Sequence, residues 1–126
     1  MLVLAGPPQL AIAWRADGTH GRSPHCMSPR PLLRTTPAHG RTGLVRASRC
    51  GADLAFLSPV FPTRSHPGSR TLGRVRFGLA QGPRNLRIVA LGGMDRARFR
   101  GLAGLAYGWA AIDAWSADQK RKVVPK

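Results

Sequence analysis

The sequence predicts an α/β fold of the (β/α)8 TIM-barrel type, and three observations point to it. Short apolar runs recur along the 126 residues, each followed by a polar loop. Helix-like stretches lie between them, at spacings of roughly 15–30 residues that suit parallel strands joined by crossover helices. Finally, the run Arg87–Leu91 (RIVAL) stops at Gly92-Gly93 and a helix-like stretch follows. Barrels of this type often build a phosphate site in that way after their last strands. A dinucleotide-binding sheet has no support, since no strand-like run is followed by G-x-G-x-x-G.

In chain order, Leu2–Ala5 is a strand cut off by Gly6, Pro7 and Pro8. Leu10–Arg15 has helical character, Ala16–His20 is a second strand and Leu32–Thr35 a third. Arg41–Arg49 reads as a helix, with Gly51 placed where a helix C-terminus favours glycine. Asp53–Ser58 (DLAFLS) is apolar enough to be buried on both faces and is stopped by Pro59. Val75–Ala80 is a helix, Arg87–Leu91 a buried strand, Arg96–Leu102 a helix and Gly108–Ile112 the last strand. Pro24–Pro37 and Pro59–Pro67 are proline-rich but too short to be domain linkers.

Charge is the compositional oddity. Twenty Lys and Arg against five Asp and Glu give a net charge of +15. There is no Glu, and Lys occurs only at 120, 122 and 126. Such a balance permits nucleic-acid binding. However, the arginines are spread along the chain, and the one dense run (Lys120, Arg121, Lys122, Lys126) is a short solvated tail. Scattered charge bears on non-specific association and not on specificity, so a nucleic-acid partner is not expected. Cys26 and Cys50 have no metal-ligand spacing and make no disulfide framework. Met1–Ala5 is too short for a signal peptide or a membrane span. A reducing cytoplasm is the expected setting, with no membrane partner.

Several residues carry two readings. Gly92-Gly93 suits close backbone approach to a phosphate, and equally a plain tight turn. Thr63 and Ser65 can donate to a ligand or cap the turn that follows. His39 can shuttle protons at a barrel mouth or bond to loop backbone, and His20 shares that choice. Trp109 and Trp115 read as packing residues, and Asp17 and Asp53 as strand-start residues at the far end from any site.

The segment Gly51–His66, GADLAFLSPVFPTRSH, resembles the sixth strand and loop of the thiamine phosphate synthase and thiazole tautomerase family. VALGGM (Val89–Met94) is similar to its seventh strand and phosphate loop, and AYGWAAIDA (Ala106–Ala114) to its eighth strand. ADGTH (Ala16–His20) resembles strand 4, and Pro37-Ala38-His39 the end of strand 5. Leu2–Ala5 is then strand 3. The resemblance implies an incomplete barrel, about strands 3 to 8, over residues 1–116, with residues 117–126 as a basic C-terminal tail.

What the resemblance implies about chemistry follows residue by residue. Thr63 and Ser65 would donate to the pyrophosphate of a pyrimidine substrate. Gly92 and Gly93 would hold the phosphate of the thiazole partner, together with backbone near Ile112 and Asp113. His39 stands where tautomerase relatives carry an acid–base histidine. The implied reaction joins hydroxymethylpyrimidine pyrophosphate to thiazole phosphate with release of pyrophosphate, normally with Mg²⁺.

Departures are as informative. The family's two metal-binding Asp positions are Ala5-Gly6-Pro7 and the stretch Gly21 to His25 here, without a carboxylate, and Mg²⁺ prefers oxygen ligands. Mg²⁺ is thus expected for the family, with no metal ligands in this chain. His66 replaces a lysine whose charge Arg64 could supply, and Pro37-Ala38 replaces a serine. Strands 1 and 2 have no counterpart, while a whole barrel takes roughly 200 residues or more. The expectation is a synthase-like protein with small phosphorylated substrates, impaired in activity and self-associating through open sheet edges. The alternatives are a metal-independent tautomerase-like isomerase and a non-enzymatic basic remnant.

Overall fold

The structure, a computed structural model, describes residues 1–22, 31–65 and 67–112. Six strands alternate with helices: β1 (Val3–Ala5), α1 (Pro8–Ala13), β2 (Gly18–His20), β3 (Leu33–Ala38), α2 (Arg41–Arg49), β4 (Leu54–Leu57), α3 (Gly73–Leu79), β5 (Arg87–Leu91), α4 (Arg96–Arg100) and β6 (Gly108–Ala110). All neighbours pair in parallel, and the spatial order is the chain order, β1 to β6. A doubly wound sheet reverses its strand order at a switch point. This sheet never does, so it is an open sheet of TIM-barrel type, as expected.

Every expected strand is present, and the boundaries differ for physical reasons. α1 begins at Pro8, two residues before the expected start, because proline suits the first helical turn, where its missing N–H has no partner to lose. β3 runs through Pro37 to Ala38, beyond the expected end at Thr35. β2 stops opposite Thr35, so Pro37 pairs only with Phe56 of β4 and its absent N–H breaks no ladder on the other side.

Successive strand residues point to opposite faces. On one face Ala38, Ala55, Leu57, Ile88 and Ala90 pack with Leu44 and Ala47 of α2, Phe77 of α3 and Leu102 into a single buried core. On the other face the register places Val3, Leu33, Leu54, Phe56 and Leu91, all only partly buried. That second face would be the inside of a closed barrel. Among the described residues it is left open, flanked by β1 and β6, each paired on one side only.

Helix ends are built to a repeated pattern. α2 ends at Cys50, Gly51 takes φ +70°, and the N–H groups of Gly51 and Ala52 donate to the carbonyls of Ser48 and Ala47. These are the two bonds of a Schellman cap, with glycine at its left-handed position as expected.

Candidate functional site

The strand register brings the C-terminal ends of β3, β4 and β5 level, since Ala38 pairs with Leu57 and Leu57 with Ala90. The residues that follow these strands converge on one pocket of about 290 Å³. Its lining includes His39, Thr63, Ser65, Gly92, Gly93 and Ile112, with Ser58, Pro59, Ser69, Met94 and Ala111. Six of the eight residues singled out from the sequence therefore meet. Arg64 is exposed and does not line the pocket, and Asp113 lies outside the described residues.

Gly92 and Gly93 have φ +91° and +60°. A Cβ on Gly92 would lie 2.8 Å from Pro59 Cα, and one on Gly93 would run into the Pro62 carbonyl and come within 2.9 Å of the Phe61 carbonyl. The room that these glycines provide is thus taken by the loop after β4, not by open space for a ligand. That loop is tied down by Val60 N–H to Leu91 O and Phe61 N–H to Gly92 O, both 3.0 Å. Hydrogen-bonding capacity is left instead in peptide N–H groups. Among the described residues those of Gly93 and Met94 meet no acceptor. At the start of α4, Asp95 accepts from Arg98 N–H at 2.7 Å through its side chain and from Phe99 N–H at 3.0 Å through its carbonyl.

The Thr63 hydroxyl oxygen accepts from Ser65 N–H at 3.3 Å, so it does cap its own turn. A hydroxyl also carries one proton to donate, and that capacity remains. His39 Nδ1 lies 2.9 Å from the Ser58 carbonyl and Arg22 donates to Nε2 at 3.3 Å, which together specify the tautomer protonated at Nδ1. His20 stands on the open face, with Nδ1 2.8 Å from the Thr35 hydroxyl and its ring edge-on to Phe56. Burial lowers its pKa below the ordinary histidine value.

The carboxylates among the described residues are not arranged to hold magnesium. Gly6 follows β1 and Gly21 and Arg22 follow β2, while Asp17 and Asp53 sit at the opposite ends of their strands, accepting from Leu2 N–H at 2.6 Å and Arg34 N–H at 2.8 Å. Asp95 is engaged by Arg98. Among the described residues no group of three His, Cys, Asp or Glu comes together to hold a metal ion. A larger cleft of about 510 Å³, lined by Thr19, Arg34, Thr36, Gly43 and Arg46, opens on the helix-covered face. Trp109 packs against Phe99 with ring centroids 6.3 Å apart, a packing role as expected. Cys50 is a free thiol; Cys26 and Trp115 lie outside the described residues.

Fold and pocket define the class: an open (β/α) sheet of TIM-barrel type with its pocket at the C-terminal strand ends. No protein-family model matches the chain. A curated protein of Aquifex aeolicus (strain VF5), provisionally named thiamine-phosphate synthase 2, is 32% identical over 92 residues, covering 68% of this chain and 49% of its own length. Among solved structures, a thiamine phosphate pyrophosphorylase from Pyrococcus furiosus matches with TM-score 0.66 and 22% identity over 87% of this chain and 55% of that one. Another from Bacteroides thetaiotaomicron matches with TM-score 0.60 and 16% identity over 90% and 56%. The chain is a divergent thiamine phosphate synthase-like protein, spanning about half the length of these relatives. No described helix is long and apolar enough to cross a membrane.

Proposed function

We propose that the pocket at the ends of β4, β5 and β6 holds the phosphate or pyrophosphate group of a thiamine-biosynthesis substrate. One observation carries this reading: the hydroxyls of Thr63 and Ser65 and the open N–H groups of Gly93 and Met94 converge on the same pocket, with no described carboxylate in its lining. In the synthase reaction, pyrophosphate leaves a pyrimidine and charge builds on the leaving group. Fixed donors aimed at that charge stabilise it most where it is largest. Thr63 and Ser65 serve the pyrophosphate in this proposal. Gly93, Met94 and the backbone around Ile112 and Asp113 serve the thiazole phosphate, with the Arg64 cation at the rim.

The bound groups are positioned by this chain, but net transfer is slow or absent in it, since among the described residues no carboxylates come together to hold Mg²⁺. The isomerase alternative gains no support from His39, whose two ring nitrogens are already engaged. Within this proposal the chain works in the cytoplasm. Calorimetric titration with pyrophosphate tests the reading. A hydrogen bond to a charged group contributes about 1.5–3 kcal/mol, so Thr63→Ala with Ser65→Ala should weaken binding at least tenfold, and chelator should leave it unchanged. Equal binding by the double variant sinks the assignment. Thiamine phosphate formation that a chelator abolishes would refute the metal-independent part.

A further inference from the structure

We propose that Arg98 is a positioning residue, clamping the loop after β4 to the Gly92-Gly93 turn and so setting the spacing between the two halves of the pocket. This deepens the phosphate reading and rests on it. Arg98 lies on α4, outside the pocket lining, and three contacts converge on its guanidinium. Nη1 donates to the Gly93 carbonyl. The guanidinium carbon stands 5.1 Å from the centroid of the Phe61 ring. Nε lies 3.7 Å from Asp95 Oδ2, while Asp95 Oδ1 accepts the backbone N–H of Arg98 itself. One planar group therefore touches both loops, stacking on one and donating to the other, and Asp95 anchors it.

The contact with Gly93 has a directional effect. A trans peptide holds its C=O and N–H on opposite sides, so a fixed Gly93 carbonyl fixes the Met94 N–H pointing the other way. That N–H has no acceptor among the described residues, and Met94 lines the pocket. A carbonyl that accepts from a cation also polarises its peptide, which strengthens the N–H as a donor. Lysine keeps the charge but cannot both stack a planar face and donate in the same plane.

Titration of the full chain with inorganic pyrophosphate, combined with amide hydrogen exchange of the free protein, tests this. Arg98→Gln and Arg98→Lys should each weaken binding about tenfold, equivalent to about 1.4 kcal/mol. Arg100→Gln, which removes the same charge from the same helix, should change binding no more than about twofold. The Phe61 amide, bonded to Gly92 O across the two loops, should exchange about tenfold faster in both Arg98 variants, through local opening alone. Native binding by Arg98→Lys would show that charge alone matters, and would overturn the proposal. So would equal effects of Arg98→Gln and Arg100→Gln. Should the unaltered chain fail to bind pyrophosphate, the phosphate reading falls, and Phe61 exchange then decides the clamp by itself: no change in the Arg98 variants overturns it.

Discussion

Gly93 shows what a single residue does here and how far the sequence reveals it. A glycine pair after a strand is readable as a site of close approach, but the sequence does not say what approaches. The structure puts the Phe61 and Pro62 carbonyls there, so the pair first serves the meeting of two loops. Gly93→Ala combines a left-handed φ with a collision, and should cost about 2–4 kcal/mol in a urea titration. Gly68→Ala, at φ +77° with nothing near its would-be Cβ, should cost about 1 kcal/mol from the backbone alone. His20 gives a pH signature. Burial holds its folded pKa below the unfolded value of 6.5, so the unfolded chain binds the proton more tightly. Its contribution to stability is present above pH 6.5 and is lost as pH falls through the folded value. Unfolding midpoints from pH 8 to 5 should therefore drop more steeply for the parent chain than for His20→Gln. Parallel profiles would contradict this.

At the scale of elements, the chain repeats a joint between helix and strand. Arg15 and Gly51 both take left-handed φ, the next residue is Ala16 or Ala52, and its N–H returns to Ala11 or Ala47. An aspartate follows in each case and accepts a backbone N–H, from Leu2 just before β1 for Asp17 and from Arg34 of β3 for Asp53. The strings Arg-Ala-Asp and Gly-Ala-Asp make the second aspartate's place legible, and Gly51 announced its own cap. Arg15 did not, because arginine has no preference for that conformation. Since it is exposed and strained at φ +53°, Arg15→Gly should stabilise the chain by about 0.5–1 kcal/mol, read as a higher denaturant midpoint at unchanged slope. Arg98 was equally hidden, for its partners are 5 and 37 residues away and only the loop meeting unites them.

The whole molecule combines an open sheet with a charge of +15. Among the described residues, two free edges and a half-covered apolar face favour pairing between copies, and like charge opposes it. Screening length falls from about 30 Å at 0.01 M salt to about 3 Å at 1 M, which removes the repulsion and leaves the apolar attraction. Sedimentation should show a monomer at the low salt concentration and larger species at the high one. A single monomeric boundary in both would mean that the open face closes on itself. The fold type was legible because each βα unit carries its own apolar pattern. Which face stays uncovered was not, since it depends on the register that sorts alternate residues of neighbouring strands to one face or the other.

The sequential strand order also bears on how the chain acquires its shape. Paired residues such as Val3 and Gly18, Leu33 and Gly18, Leu54 and Thr35, Arg87 and Leu54, and Gly108 and Val89 are 15, 15, 19, 33 and 19 positions apart. As the polypeptide leaves the ribosome, each of the described strands after the first finds its partner already exposed. Short separations of this kind speed folding, and synthesis proceeds slowly enough, at about 5–20 residues per second, for each unit to dock before the next emerges. The slowest addition should be β5, whose loop spans the longest interval and carries the residues of the pocket.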